Sequence, residues 1–164
     1  MLAIHRVSKN FVLIGLVLTL SATWAWAAEV AHSQEHGAAP ASLTLNAGKK
    51  WASDEPLRKA MGNIRNAMDA SLHDIHGNKL AAAGYDALAK KVNDEVSDIV
   101  SNCKLEPKAD AQLHLIVADM LSGAAAMQGK GGKVQRRDGA LEVLVALGNY
   151  GDYFDHPDWK STKH

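Results

Sequence analysis

Four stretches of this chain carry apolar side chains three and four residues apart, and each ends at a Gly- or Pro-containing break. That spacing lays one apolar stripe along one face of a helix, so the chain must bury four stripes against one another. The first stripe is Leu57, Met61, Ile64, Met68, Leu72 and Ile75, opened by Ser53 as the expected cap and closed at His76-Gly77-Asn78. Asp54 and Glu55 favour a first turn, where Pro56 is tolerated. The second runs from about Ala81 to Cys103 through Tyr85, Leu88, Val92, Val96 and Ile99, and Pro107 enforces the next break. A third helix, from about Lys108 to Gln128, has Leu113, Val117, Met120, Ala124 and Met127 on its inner face. Its small run Gly123 to Ala126 permits a close neighbour. The fourth, from about Val134 to Asp155, is apolar around much of its circumference and ends before Pro157.

No stretch alternates with period two over strand length, so the class is all-α. Connections of about five or six residues predict antiparallel neighbours, hence an up-down-up-down four-helix bundle over residues 51–159. Composition agrees, since 47% hydrophobic but only 5% aromatic residues favour a helical protein over a sandwich or barrel. The 164 residues allow one domain of ordinary size.

The start of the chain reads as a leader rather than as fold. Met1 to Asn10 carries Arg6 and Lys9 but no acid, the apolar run Phe11 to Leu20 follows, and Ala25-Trp26-Ala27 offers small residues to a signal peptidase. Cleavage after Ala27 is expected, with delivery to the periplasm; the competing reading, an uncleaved anchor over Phe11 to Ala28, is disfavoured by the short core run. Residues 28–50 lack a sustained apolar period and are expected to form a flexible tail, and residues 160–164 a short C-terminal tail. Within the first tail, His32 and His36 flank Glu35 without anything to fix a metal geometry.

Loss of the leader removes two of 18 basic residues and none of 18 acidic ones. A slightly acidic product lacks the electrostatic footprint for nucleic acid or an anionic membrane. The single Cys103 excludes a disulfide scaffold and a four-cysteine zinc site, and its place far from Ala28 excludes a lipid-modified N-terminal Cys.

In an up-down-up-down bundle the starts of helices one and three and the ends of helices two and four share one end. Met61 and His114 sit about 9 to 10 Å from that end, while Cys103 and His156 close the other two helices there. A thioether, a thiol and two imidazoles form the soft ligand set that suits copper. Each residue also has an ordinary reading: Cys103 extends the Ile99 stripe, Met61 fills the core, His114 flanks a stripe and His156 sits in a helix-ending turn.

An exported four-helix bundle with Met61 early in its first helix and His156 at the end of its fourth resembles the cytochrome b562 and cytochrome c-prime proteins. The resemblance implies Met61 and His156 as axial ligands to haem b. Its departures are a Met61 deeper in the helix, Pro157 directly after His156, and no C-x-x-C-H, which excludes covalent haem c.

Other features carry less. His73 and His76 suit a helix C-terminal turn without any metal. Gly129 to Lys133 lacks the spacing and following Ser/Thr of a phosphate loop. Met61 and Met68, like Met120 and Met127, repeat at seven residues, which core packing explains better than a Cu(I) channel. Cys103 and His114 lack a third orienting group for nucleophilic catalysis, so no enzyme is expected. The expectation is a periplasmic bundle that binds a metal, copper favoured, or haem b. The alternative is a cofactor-free bundle that acts by contact, as a stress-related accessory or partner protein, through an exposed apolar or aromatic patch near Trp51, Tyr153 and Trp159. A buried Cys103 predicts no intermolecular disulfide.

Overall fold

A computed structural model describes residues 42–162. The leader, His32 and His36 lie outside the described residues. Four helices pack against one another around one core, making the chain an all-α bundle: α1 (Glu55–His76), α2 (Ala82–Asn102), α3 (Pro107–Met127) and α4 (Arg136–Tyr153).

In α1 the expected stripe is buried at Leu57, Met61, Ile64, Met68 and Ile75, with Ala60 beside it. Its cap is Asp54 and not Ser53: the Asp54 carboxylate accepts the Leu57 N–H at 2.9 Å. Ser53 is occupied instead, its hydroxyl donating to the Asp155 carbonyl and its own carbonyl accepting from Arg58. The expected face of α2 is buried too, and Glu95 joins it, held by Asn63 Nδ2 at 3.1 Å and by Lys91. Pro107 is the first residue of α3 rather than only the break before it, since that position needs no N–H.

The close approach expected of Gly123 is met by Gly139 of α4, where a Cβ on either residue would run into the other's carbonyl oxygen. Consequently α3 and α4 touch backbone to backbone, with Met120, Val143 and Leu147 packed into the core around them.

At both ends α4 is shorter than expected. Val134 and Gln135 stay in the preceding turn, and the chain leaves the helix after Tyr153. Phe154 turns extended, at φ −115° and ψ 139°, and becomes fully buried. Phe154–Asp155 form β2, which pairs in parallel with β1 (Trp51–Ala52), Trp51 opposite Phe154. This two-stranded clasp ties the entry of α1 to the exit of α4.

Residues 42–50, expected to be part of the tail, are docked. Thr44 N–H donates to Gln112 Oε1 at 2.7 Å, the Trp51 indole donates to the Thr44 carbonyl at 2.6 Å, and Leu43 packs against the core. Asn46 and Lys49 exchange backbone hydrogen bonds of 2.8 and 3.0 Å around a turn whose central Ala47 and Gly48 have φ of 50° and 81°. Beyond the bundle, Trp159 packs on the core and Thr162 is buried within the expected C-terminal tail.

Helix ends meet in two groups. Cys103 and Lys104, after α2, bond to Asp54 before α1. At the opposite end Arg137 Nε donates to the Ile75 carbonyl at 3.0 Å, and Arg136 pairs with Asp86 at 2.5 Å. Among the described residues no helix is long and apolar enough to cross a membrane.

Candidate functional site

The end of α2 and the first turns of α3 border a cleft of about 240 Å³, lined by Ile99, Val100, Cys103, Asp110, Leu113, His114 and Val117. Helical spacing explains the membership: Asp110, Leu113, His114 and Val117 are three or four apart on α3 and so share a face. The walls are mostly aliphatic, and Val100 on the lip is 77% exposed. The groups with chemistry are the Cys103 thiol, the His114 imidazole and the Asp110 carboxylate.

Cys103 is half-buried, and its Sγ donates to Asp54 Oδ1 at 3.3 Å. Burial together with the hydrogen bond and charge of Asp54 pushes the thiol up to about 12, so sulfur stays protonated when no ligand replaces the proton. Asp54 responds in the other direction. Burial raises its pKa, but hydrogen bonds from the Lys104 and Leu57 N–H groups and the Cys103 thiol, with the nearby Arg58, hold the carboxyl below its ordinary value.

His114 projects from α3 with 72% of its side chain exposed. Its Nδ1 lies 2.8 Å from the Asp110 carbonyl oxygen and 3.4 Å from Asp110 Oδ2. A carbonyl can only accept, so Nδ1 carries the proton, which leaves Nε2 as the ring nitrogen able to bind a metal. A ring fixed through one nitrogen with the other free is the form in which imidazole binds metals.

Met61 lies elsewhere, fully buried in the core, as do Met68, Met120 and Met127. His156 follows β2 and belongs to an aromatic cluster, its Nδ1 3.0 Å from the Tyr150 hydroxyl and its ring 4.9 Å from Trp159. Burial, then the charges of Arg58 and Arg65, lower its pKa and favour the neutral ring. The structure thus brings Cys103 and His114 to one cleft and sets Met61 and His156 apart from it. Among the described residues no group of three or more His, Cys, Asp and Glu is arranged to hold a metal.

His73 and His76 occupy the last turn of α1, and Gly129 and Gly132 take φ of 75° and 66° in an ordinary turn. Of the three residues around which an exposed apolar or aromatic patch was expected, Trp51 is buried, whereas Tyr153 and Trp159 are partly buried. Trp51 is 6% exposed, and Trp159 stands edge-on to Tyr150 at 4.8 Å. Sequence reasoning missed Asp54 as the partner of the thiol. It also missed Arg58 and Arg65, whose seven-residue spacing on α1 was the available signal.

No family model, curated protein or solved structure matches the chain.

Proposed function

We propose that this is an exported bundle that binds a metal ion, copper as Cu(I), in the cleft between α2 and α3, with Cys103 Sγ and His114 Nε2 as ligands. The observation that carries this reading is the His114 hydrogen bond: Nδ1 bonded to the Asp110 carbonyl leaves Nε2 as a donor at the rim of the cleft that holds the thiol. Soft sulfur with imidazole suits Cu(I), which needs fewer ligands than a closed zinc site. Binding replaces the thiol proton, and aliphatic walls shield the sulfur from water. A haem held by Met61 and His156 draws less support, because Met61 is packed in the core and His156 Nδ1 is engaged by Tyr150. The protein serves as a metal carrier or store, and export rests on the leader.

A competition titration with a chromogenic Cu(I) chelator tests the assignment. Wild-type chain should withdraw one equivalent, and Cys103→Ala and His114→Ala should each weaken binding by at least about tenfold, the loss typical of disrupted metal sites. Equal affinity in wild type and both variants removes these ligands. No copper uptake by the wild type leaves a contact protein whose exposed Val100 marks the surface to examine.

A further inference from the structure

After β2 the chain turns back over α1 and α4. The Trp159 N–H bonds to the His156 carbonyl at 3.1 Å, and the His156 ring packs on the indole with centroids 4.9 Å apart. Tyr150 of α4 stands edge-on to both rings, and the Arg65 guanidinium of α1 lies 5.2 Å from the indole centroid. Gly151 is the seat of the indole: the three atoms nearest to a Cβ placed there all belong to Trp159. Thr162, further along the segment, is buried. Residues 156–162 thus form a latch whose contacts centre on one imidazole and one indole.

The closed latch is held by a small margin. Asp158 has a φ of 62°, a left-handed conformation that is costly for a residue with a Cβ. Trp159 Nε1 and Thr162 Oγ1 are buried without a hydrogen-bond partner, and water satisfies both once the segment lifts. The charges around His156 are unevenly divided. Arg58 and Arg65 face it from α1, Arg65 with Asp69 at 3.9 Å. From α4 it meets the Tyr150 hydroxyl, 3.0 Å from Nδ1, and Asp54 and Cys103 face that hydroxyl in turn. The acids that face the ring are Asp155 of β2 and Asp158 of the segment itself. Asp158 travels with the ring when the segment lifts, whereas both guanidiniums stay on α1. Nδ1 can accept from a hydroxyl or donate to one, so the Tyr150 contact survives protonation. What protonation adds is a third cation, half-buried, beside an indole that Arg65 already faces.

We propose that residues 156–162 are an acid-sensitive latch: protonation of His156 releases the segment from α1 and α4 and bares the Tyr150 ring and the Gly151 seat while the four helices stay packed. Neutral His156 favours the closed latch and the proton favours the open one. The ratio of open to closed therefore rises as pH falls below 6.5, by up to about tenfold per pH unit, until the ring is protonated in the closed latch as well. The latch is separate from the Cys103–His114 cleft and needs no metal there.

The test follows the indole N–H signals of the full chain by NMR from about pH 7.5 to about 4.5, which spans the ordinary titration of His. Loss of a signal in Trp159→Phe or Trp51→Phe assigns each. Trp51 is the internal reference, because its indole is bonded to the Thr44 carbonyl at 2.6 Å, away from the latch. Gly151→Ala drives a methyl into the Trp159 indole and should show the open position of its signal already at neutral pH. In the wild type the Trp159 signal should move toward that position in a one-proton step with a midpoint below 6.5, while the Trp51 signal and the helical circular dichroism hold. His156→Gln takes no proton and should lose the step, wherever its indole rests. The latch is overturned by a Trp159 signal that stays still in acid or in Gly151→Ala, by a step retained in His156→Gln, or by Trp159, Trp51 and helix content changing together.

Discussion

Asp54 caps α1 through the Leu57 N–H, holds the Lys104 N–H at 2.6 Å and accepts the Cys103 thiol, so one carboxylate joins the start of α1 to the end of α2. Asp54→Ala should cost about 1 to 2 kcal/mol, the upper range for a lost N-cap, measured by urea unfolding. Its lowered pKa also fixes a pH window. The folded carboxyl titrates below 3.8, so its stabilisation is complete above that value and is lost as pH falls through the folded value. His156 acts at higher pH. The ring is neutral when folded, whereas the unfolded chain takes up a proton near 6.5, so stability falls as pH drops from 6.5 toward the lowered folded value. Unfolding free energy should therefore decline with acidification in two separate windows. His156→Gln should flatten only the upper one, and an unchanged upper window would show that His156 does not control it.

At the scale of elements, α3 and α4 meet where Gly123 and Gly139 allow no Cβ. Gly139→Ala forces two backbones apart and should destabilise the bundle by about 1 to 3 kcal/mol, the range for overpacking, despite the better helix propensity of Ala. The turn at Ala47 predicts the opposite sign. Its φ of 50° disfavours a residue with a Cβ, so Ala47→Gly should leave stability unchanged or raise it by up to about 1 kcal/mol in thermal unfolding. These positions also mark what was readable beforehand. Each helix was legible because burial repeats within its own few turns: Leu57, Met61, Ile64 and Met68 announce a face without knowledge of any partner. The β1–β2 clasp was not, since two-residue strands have no period and Trp51 meets Phe154 only after the bundle between them has formed. Phe154 fitted the helical pattern of α4 equally well, and tertiary pairing decided its conformation. Ser53 and Asp54 are both good caps, and their choice turned on Asp155, a residue distant in sequence.

At the scale of the whole molecule, the candidate cleft was half legible. Helix lengths and breaks placed Cys103 at the end of α2 and His114 near the start of α3, and those two do share a cleft. Met61 and His156 were grouped with them by axial position alone, and axial position leaves rotation about each helix undetermined; Met61 turns into the core and His156 follows Tyr150 and Trp159. The same geometry governs how two copies of the chain react. Cys103 is the sole cysteine, so a disulfide can form only with another molecule. It is more exposed than a core cysteine, yet its thiol is tied to a carboxylate that disfavours the reactive thiolate. A freshly purified chain should therefore run as a monomer on a non-reducing gel, and Cys103 should react slowly with an aromatic disulfide reagent. Asp54→Asn keeps a capping side chain while removing the charge beside sulfur, so the reaction should accelerate several-fold at neutral pH. Equal rates in wild type and Asp54→Asn would mean that burial alone, and not the Asp54 charge, protects the thiol.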